Sequence, residues 1–130
     1  MISNTKKFLT GMVIALVFAS CTPRLAGSWA VQRYENSRPG QKGVSLNNIG
    51  TIRFYKNGKG EKNVNYTVLG INHKDQNPFR WTSTDGKYVT IDGRNSEFSK
   101  TWIIISNKKK YQKWKSTDGD KGIQVLELKK

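Results

Sequence analysis

The chain is poor in cysteine, histidine and acidic residues, and each shortage excludes a class of protein. Its 130 residues include one Cys and one His, so no disulfide can form within the chain and a zinc site lacks ligands. Only 9 Asp and Glu oppose 23 Lys and Arg, a formal net charge of +14. No apolar run reaches the roughly 20 residues that a membrane-spanning helix needs. This length predicts one domain, and the charge favours anionic partners without specifying a fold.

Catalytic patterns are equally scarce. His73 and Asp75 could share one side of an extended segment, but no nucleophile or second base accompanies them, and a solvated loop histidine is the simpler interpretation. Asp85 and Asp118 each precede a glycine and fit turns better than a carboxylate pair. We therefore expect no catalytic residue, no cofactor and no metal, and an enzyme is the least favoured class of function.

The first 20 residues have the order of an export signal. An apolar stretch at 8–18 follows Lys6 and Lys7 and precedes two small residues and Cys21. The segment Phe18-Ala19-Ser20-Cys21 resembles a bacterial lipobox, with Phe18 where Leu is usual. The resemblance implies cleavage before Cys21 and attachment of acyl chains such as palmitate to that residue. The alternative is an ordinary signal peptide that ends near a cysteine.

These features divide the chain into three parts. Residues 1–20 are the predicted signal peptide, 21–26 the lipidated Cys21 with a short tether, and 27–130 the folded domain. Cleavage would leave 21 basic and 9 acidic residues, a formal charge of +12. We expect an exported protein, lipid-anchored in a bacterial cell envelope. No acidic run follows Cys21, which favours the periplasmic face of the outer membrane over surface display.

Short stretches of alternating polar and apolar residues, separated by turn residues, predict an all-β fold. Asn57-Gly58 is the strongest hairpin signal, and polar loops are expected at 36–48 and 70–77. No connection is long enough for a parallel crossover. The pattern predicts an antiparallel eight-stranded up-and-down barrel, which removes exposed edges; a two-sheet sandwich is the alternative. The eight strands are expected at about 27–35, 49–56, 60–69, 78–83, 87–91, 97–106, 111–116 and 123–129.

Gly27-Ser28-Trp29 heads the first of these strands. Gly27 allows a close approach where a Cβ would collide, and Trp29 has the size to plug one end of a barrel. This opening resembles that of lipocalins, and residues 25–129 are similar to the short lipocalin-like domains of bacterial lipoproteins. The resemblance implies a non-catalytic barrel with a cavity for an apolar molecule. It also implies a basic side chain packed on Trp29; here either Lys115, Lys129 or Arg33 supplies it, or the contact is absent.

Two interpretations of the barrel interior remain open. Eight strands enclose a space that side chains can fill or that can hold one small ligand. Large aromatic residues favour a filled core, because each one left unpacked forfeits roughly 2–3 kcal/mol. If a pocket for a small apolar ligand exists, we expect Tyr66, Trp81 and Trp102 to form its wall.

A basic stretch near the end of the chain supports a second function. The predicted basic patch comprises Lys108, Lys109, Lys110, Lys113 and Lys115, interleaved with Tyr111 and Trp114. Basic and aromatic residues together can bind single-stranded nucleic acid, but export argues against that partner and favours anionic lipid or glycan. A merely solvated face that keeps the protein soluble is the alternative. The first hypothesis is thus a lipid-anchored binder of a small hydrophobic ligand. The second is a packed barrel that binds another envelope protein or an anionic surface through its loops and basic face.

Overall fold

The computed structural model describes residues 24–40, 43–117 and 122–130. The predicted signal peptide, the proposed lipidation site Cys21 and most of the turn after Thr117 lie outside the described residues. The described chain forms nine β-strands: β1 (Gly27–Ser37), β2 (Val44–Phe54), β3 (Lys59–Val68), β4 (Ile71–Asp75), β5 (Phe79–Thr84), β6 (Tyr88–Gly93), β7 (Thr101–Lys108), β8 (Tyr111–Ser116) and β9 (Ile123–Lys129).

Eight of these strands close into an antiparallel up-and-down barrel, which confirms the predicted fold class. Each strand pairs with its neighbour in the order β1, β2, β3, β5, β6, β7, β8 and β9, and β9 returns to β1. The ninth strand, β4, pairs with β3 alone. We call the end where β1 begins at Gly27 the plugged end, and the opposite end, where β1 finishes at Ser37, the mouth.

The extra strand β4 corrects the prediction of a polar loop at 70–77. Ile71 to Asp75 run antiparallel to Val68 to Val64, with His73 opposite Tyr66. The sequence pattern does not reveal this strand, because four of its five side chains are exposed or half-buried and only Asp75 is buried. A strand outside the closed ring needs no alternating apolar face, so the periodicity that marks the other strands is missing.

The first predicted loop is also much shorter than expected. β1 continues through Asn36 and Ser37, and β2 already begins at Val44, with Asn36 opposite Val44. Backbone hydrogen bonds between β1 and β2 hold this upper part of the hairpin together. Its side chains are largely polar and lie near the mouth. The connection is therefore confined to about residues 38–43.

A bulge in β1 changes which of its side chains face the interior. Between Val31 and Arg33 the register of β1 shifts against both neighbouring strands. The shift brings Tyr34 to the same face as Trp29 and Val31, whereas strict alternation predicts Tyr34 on the opposite face. Because a bulge adds one unpaired residue, every side chain beyond it changes face.

Aromatic residues fill the middle of the barrel. Phe54 makes edge-on contacts with Phe79 and Trp81 at 5.4 Å and with Trp114 at 5.9 Å between ring centroids. Trp102 and Trp114 are fully buried and lie 6.3 Å apart. Edge-to-face pairs of this kind contribute about 0.5–1.5 kcal/mol beyond their buried area. The interior here is a packed core, and the cavity bordered by Tyr34 and Tyr66 lies nearer the mouth.

Candidate functional site

The barrel wall splits between β2 and β3 on the mouth side of Gly50. The β2–β3 ladder runs from Phe54 opposite Gly60 to Gly50 opposite Val64 and stops there. Gly50 has a φ of 148°, and a Cβ at this position would lie 2.0 Å from the carbonyl oxygen of Asn63. Only glycine permits so close an approach. Beyond it, within the described residues, β2 pairs with β1 alone and β3 with β4 alone.

A bulge in β2 explains the divergence. The pairing of β1 with β2 steps from Val31 opposite Gly50 to Arg33 opposite Asn47, which leaves one extra residue in β2. Asn48 takes a left-handed φ of 54°, a conformation that asparagine tolerates better than most residues. Bulges bend and twist the strand that carries them. The upper half of β2 therefore leaves β3 and stays with β1.

A cavity of about 270 Å³ occupies the split. We call it the recess. Its walls come from the upper halves of β1, β2 and β3, from β4, and from the segment between β6 and β7. The lining residues are Tyr34, Asn36, Arg38, Val44, Leu46, Tyr66, Val68, Leu69, His73 and Glu97.

Aromatic rings form the inner surface of the recess. The rings of Tyr34 and Tyr66 lie 5.7 Å apart, and His73 stacks on Tyr66 at 5.0 Å with an interplanar angle of 15°. Burial, reinforced by the charges of Glu97 and Asp75, raises the pKa of Tyr66 to about 12. Burial also raises the pKa of Tyr34, with further contributions from Tyr66 and Glu97. Both phenols are therefore neutral hydrogen-bonding groups at physiological pH.

The polar groups of the recess are incompletely paired. Asn36 Oδ1 is buried and has no hydrogen-bond partner among the described residues. Leaving a buried acceptor unpaired costs about 1–3 kcal/mol. Glu97 and Arg38, both exposed, lie at the same cavity with opposite charges. The recess thus combines apolar and aromatic walls with an acceptor that lacks a donor.

A buried ion pair positions one wall of the recess. Lys62 Nζ lies 2.7 Å from Asp75 Oδ1, and Ser96 Oγ donates a hydrogen bond of 2.6 Å to Asp75 Oδ2. Lys62 and Asp75 are only 4% and 7% exposed. A buried pair of this kind needs its remaining hydrogen bonds to offset desolvation. The cluster ties β3 and β4 to the segment that carries Glu97, and sequence analysis missed it because its members are far apart in the chain.

The structure separates the three residues that we predicted for a ligand-binding wall. Tyr66 lines the recess. Trp81 packs on Phe54 and donates its indole N–H to the carbonyl oxygens of Tyr55 and Lys59. Trp102 is fully buried and donates to the carbonyl oxygen of Phe98. Trp81 and Trp102 therefore belong to the packed core, and ligand binding at Tyr66 stays a prediction. Alternation counted from Trp29 places Tyr34 and Asn36 on the outer face of β1. The bulge between Val31 and Arg33 turns both side chains inward, so the sequence pattern could not identify them as recess residues.

At the plugged end, Trp29 is fully buried and donates its indole N–H to the carbonyl oxygen of Leu25 at 2.8 Å. The basic residue over its ring is Lys130, with Nζ 5.0 Å from the ring centroid. The residue over the ring is therefore none of our three candidates, although Lys129 is adjacent in the chain. Gly27 has a φ of 128°, and a Cβ there would come within 3.1 Å of the Lys130 side chain.

The predicted basic patch divides into a turn and a wall. Lys108, Lys109 and Lys110 are exposed at the β7–β8 turn. Lys113 and Lys115 lie on the outer face of β8, opposite Glu127 and Val125 of β9. Trp114 points into the core and is fully buried, so it is not available to stack on a nucleic-acid base. The patch keeps its charge and the half-buried ring of Tyr111, whose hydroxyl donates to Glu127, but it loses Trp114 as a ring for base stacking.

Other features of the surface are less developed. A second, more open depression of about 680 Å³ lies around Phe79, Pro78 and Arg80, between residues of β3, β5 and β6. In the ranges 24–40, 43–117 and 122–130, no group of three His, Cys, Asp or Glu residues is placed to hold a metal ion. In the same ranges, no helix has the length and apolar character to cross a membrane.

Comparisons with protein families, with curated proteins and with solved structures found no match for this chain.

Proposed function

We propose that the protein is a non-catalytic binding protein of the bacterial cell envelope, lipid-anchored through Cys21, and that the recess is its ligand site. The observation that carries the proposal is the cavity lined by Tyr34, Tyr66 and Asn36, together with the buried Oδ1 of that asparagine, which has no partner in the described chain. An unpaired acceptor is a cost to folding, and a ligand that donates a hydrogen bond there removes it.

The recess sets the size and chemistry of the ligand. Pockets for drug-sized molecules span about 300–1,000 Å³, and an apolar cavity of about 150 Å³ takes benzene. A volume of about 270 Å³ therefore suits one or two fused rings. Val44, Leu46 and Val68 supply apolar contacts. The favoured ligand is a small, largely apolar ring that carries one N–H or O–H donor for Asn36.

A matched pair of probes tests this assignment. Indole carries a ring N–H, and N-methylindole presents nearly the same ring without it. We expect an NMR titration with indole to shift signals of Tyr66, Val68 and His73. Indole should bind about tenfold more tightly than its methylated counterpart, because the second ring would leave the buried acceptor unpaired.

Two variants provide the control. Asn36→Leu removes the acceptor and should abolish the preference for indole, whereas Asn47→Leu on the exposed outer face of β2 should retain it. Equal binding of the two probes by the wild type, or shifts scattered over the surface, would refute the proposal. If the preference for indole is found, native mass spectrometry of protein purified from its host identifies the natural ligand.

A second candidate function rests on the open strand edges. The split leaves the upper halves of β2 and β3 without a ladder partner on their facing sides in the described chain. Leu69 and Ile71, at the tip of the β3–β4 hairpin, are 93% and 63% exposed. Such edges can accept an extended segment of another protein. This function would be favoured by two results together. The wild type co-purifies with a stoichiometric protein partner that Leu69→Ser no longer retains, and the wild type does not bind indole.

A further inference from the structure

Cations from five separate segments meet at the plugged end. Arg24 Nη1 donates to the carbonyl oxygen of Asn107, beside the Lys108–Lys110 turn. The backbone N–H of Lys130 donates to the carbonyl oxygen of Lys110. The β2–β3 turn and the β5–β6 turn lie at the same end, because Phe54 pairs with Gly27 and the space beside Gly86 is bounded by the side chain of Asn107.

These segments form a nearly uncompensated positive surface, which we call the basic end. It comprises residues 24–26, 55–59, 85–87, 108–110 and 129–130, with nine exposed Lys and Arg against one carboxylate, Asp85. None of the nine takes part in an ion pair within the described chain. The paired carboxylates of Asp75, which is buried, and Glu127, which is half-buried, lie outside these segments.

The direction of the chain adds a second argument. β1 begins at Gly27 at this end, and Arg24, three residues after Cys21, already contacts Asn107 of β7, beside the β7–β8 turn. Any anchor at Cys21 therefore holds this end nearest the membrane. Juxtamembrane lysines contribute about 1 kcal/mol each near an anionic lipid surface, and the attraction extends over about one Debye length.

We infer that the basic end is a docking surface for anionic lipid headgroups, which orients the barrel with its mouth away from the membrane. The charge of the basic end complements the charge of an anionic lipid surface. The inference is independent of the recess, and it predicts membrane affinity even for a chain that carries no lipid.

Vesicle binding by residues 22–130 tests the inference directly. This chain retains every described strand and the whole buried core, whose first member is Leu25. We expect sedimentation with vesicles of phosphatidylcholine mixed with phosphatidylglycerol, and none with phosphatidylcholine alone. Raising the salt from about 0.1 M to about 1 M, which shortens the Debye length from about 10 Å to about 3 Å, should release the protein.

A pair of charge-matched variants locates the surface. Lys109→Glu/Lys110→Glu should weaken binding by about tenfold or more. Lys74→Glu/Arg94→Glu makes the same change in net charge at exposed positions away from the basic end and should bind nearly as the wild type does. Circular dichroism checks that each variant is folded.

Three results would overturn the inference. The first is equal loss of binding in the two variants, which would mean that net charge alone decides. The second is binding to phosphatidylcholine vesicles that salt does not reverse. The third is binding to heparin without binding to anionic vesicles, which would assign the surface to a soluble polyanion.

Discussion

The two ends of the barrel are built from the same strands but by opposite means. At the plugged end, Trp29 is fully buried, its N–H is paired with Leu25, and Lys130 covers its ring. At the mouth, β2 leaves β3 after Gly50, and the space between them is lined by Tyr34 and Tyr66. One end contributes stability and charge, and the other leaves a cavity with an unpaired acceptor.

The difference shows that closure of a small barrel is a local property. Buried side chains fill the interior from Trp29 and Phe54 at the plugged end to Val64 beside Gly50. Beyond them, one extra residue in β2 and one left-handed asparagine separate two strands. A cavity can thus arise from backbone geometry, without any reduction in the number of strands and without small side chains in the core.

The largest expected effect is at the plugged end. Trp29→Ala should lower the free energy of unfolding by about 3–5 kcal/mol, because it leaves a cavity that rigid strands cannot fill. Tyr66→Ala at the mouth should cost roughly half as much, because that ring already borders open space. Urea unfolding followed by circular dichroism measures both. Equal losses would remove the proposed contrast in packing.

Two glycine substitutions test the point at which β2 leaves β3. Gly50→Ala should destabilise the protein by about 2–4 kcal/mol, since the new Cβ would collide with the backbone of Asn63 and adopt an unfavourable φ. Gly70→Ala also has a positive φ, of 78°, but meets no atom within 4 Å, and should cost about 1–2 kcal/mol. The same unfolding experiment compares them. If Gly70→Ala were the more damaging, the close approach at Gly50 would not hold the strands together.

The smallest effect is a dependence on alkaline pH. Burial raises the folded-state pKa of Tyr66 above its ordinary value of 10, to about 12. The stability this provides is complete below pH 10 and is lost as the pH rises toward 12, by up to about 1.4 kcal/mol per pH unit for each such group. Tyr66→Phe should therefore show a shallower decline in this range than the wild type. Identical slopes in urea unfolding would mean that Tyr66 is not buried at the recess.

Local sequence signals explain which elements could be predicted. Asn57-Gly58 marks its hairpin because its turn favours positive φ, and Trp29 marks the start of β1 by its size and position. The all-β barrel follows from eight stretches joined by short turns. These features depend on residues that are neighbours in the chain, so the sequence displays them directly.

The recess depends instead on contacts that alternation cannot show. The bulges near Gln32 and Asn48 change the facing of Tyr34 and Asn36 without any change in composition. Lys62 and Asp75 meet only when β4 pairs with β3, and β4 itself has no apolar face. The contact of Lys130 with Trp29 joins residues about a hundred positions apart. Each of these contacts forms only when the strands pair in the folded barrel. Tyr66 could therefore be proposed from the sequence, but the residues that surround it in the recess could not.

Hydrogen exchange along β2 tests the split most directly. The β2 amides between Thr51 and Phe54 that face β3 should exchange slowly, because the ladder with β3 is intact there. The amides on the same edge between Val44 and Ile49 should exchange much faster, because no strand of the described chain pairs with that edge. A ligand in the recess should slow the second group and leave the first unchanged. Uniformly slow exchange from Val44 to Phe54 in the free protein would show a barrel closed at both ends and would contradict the account.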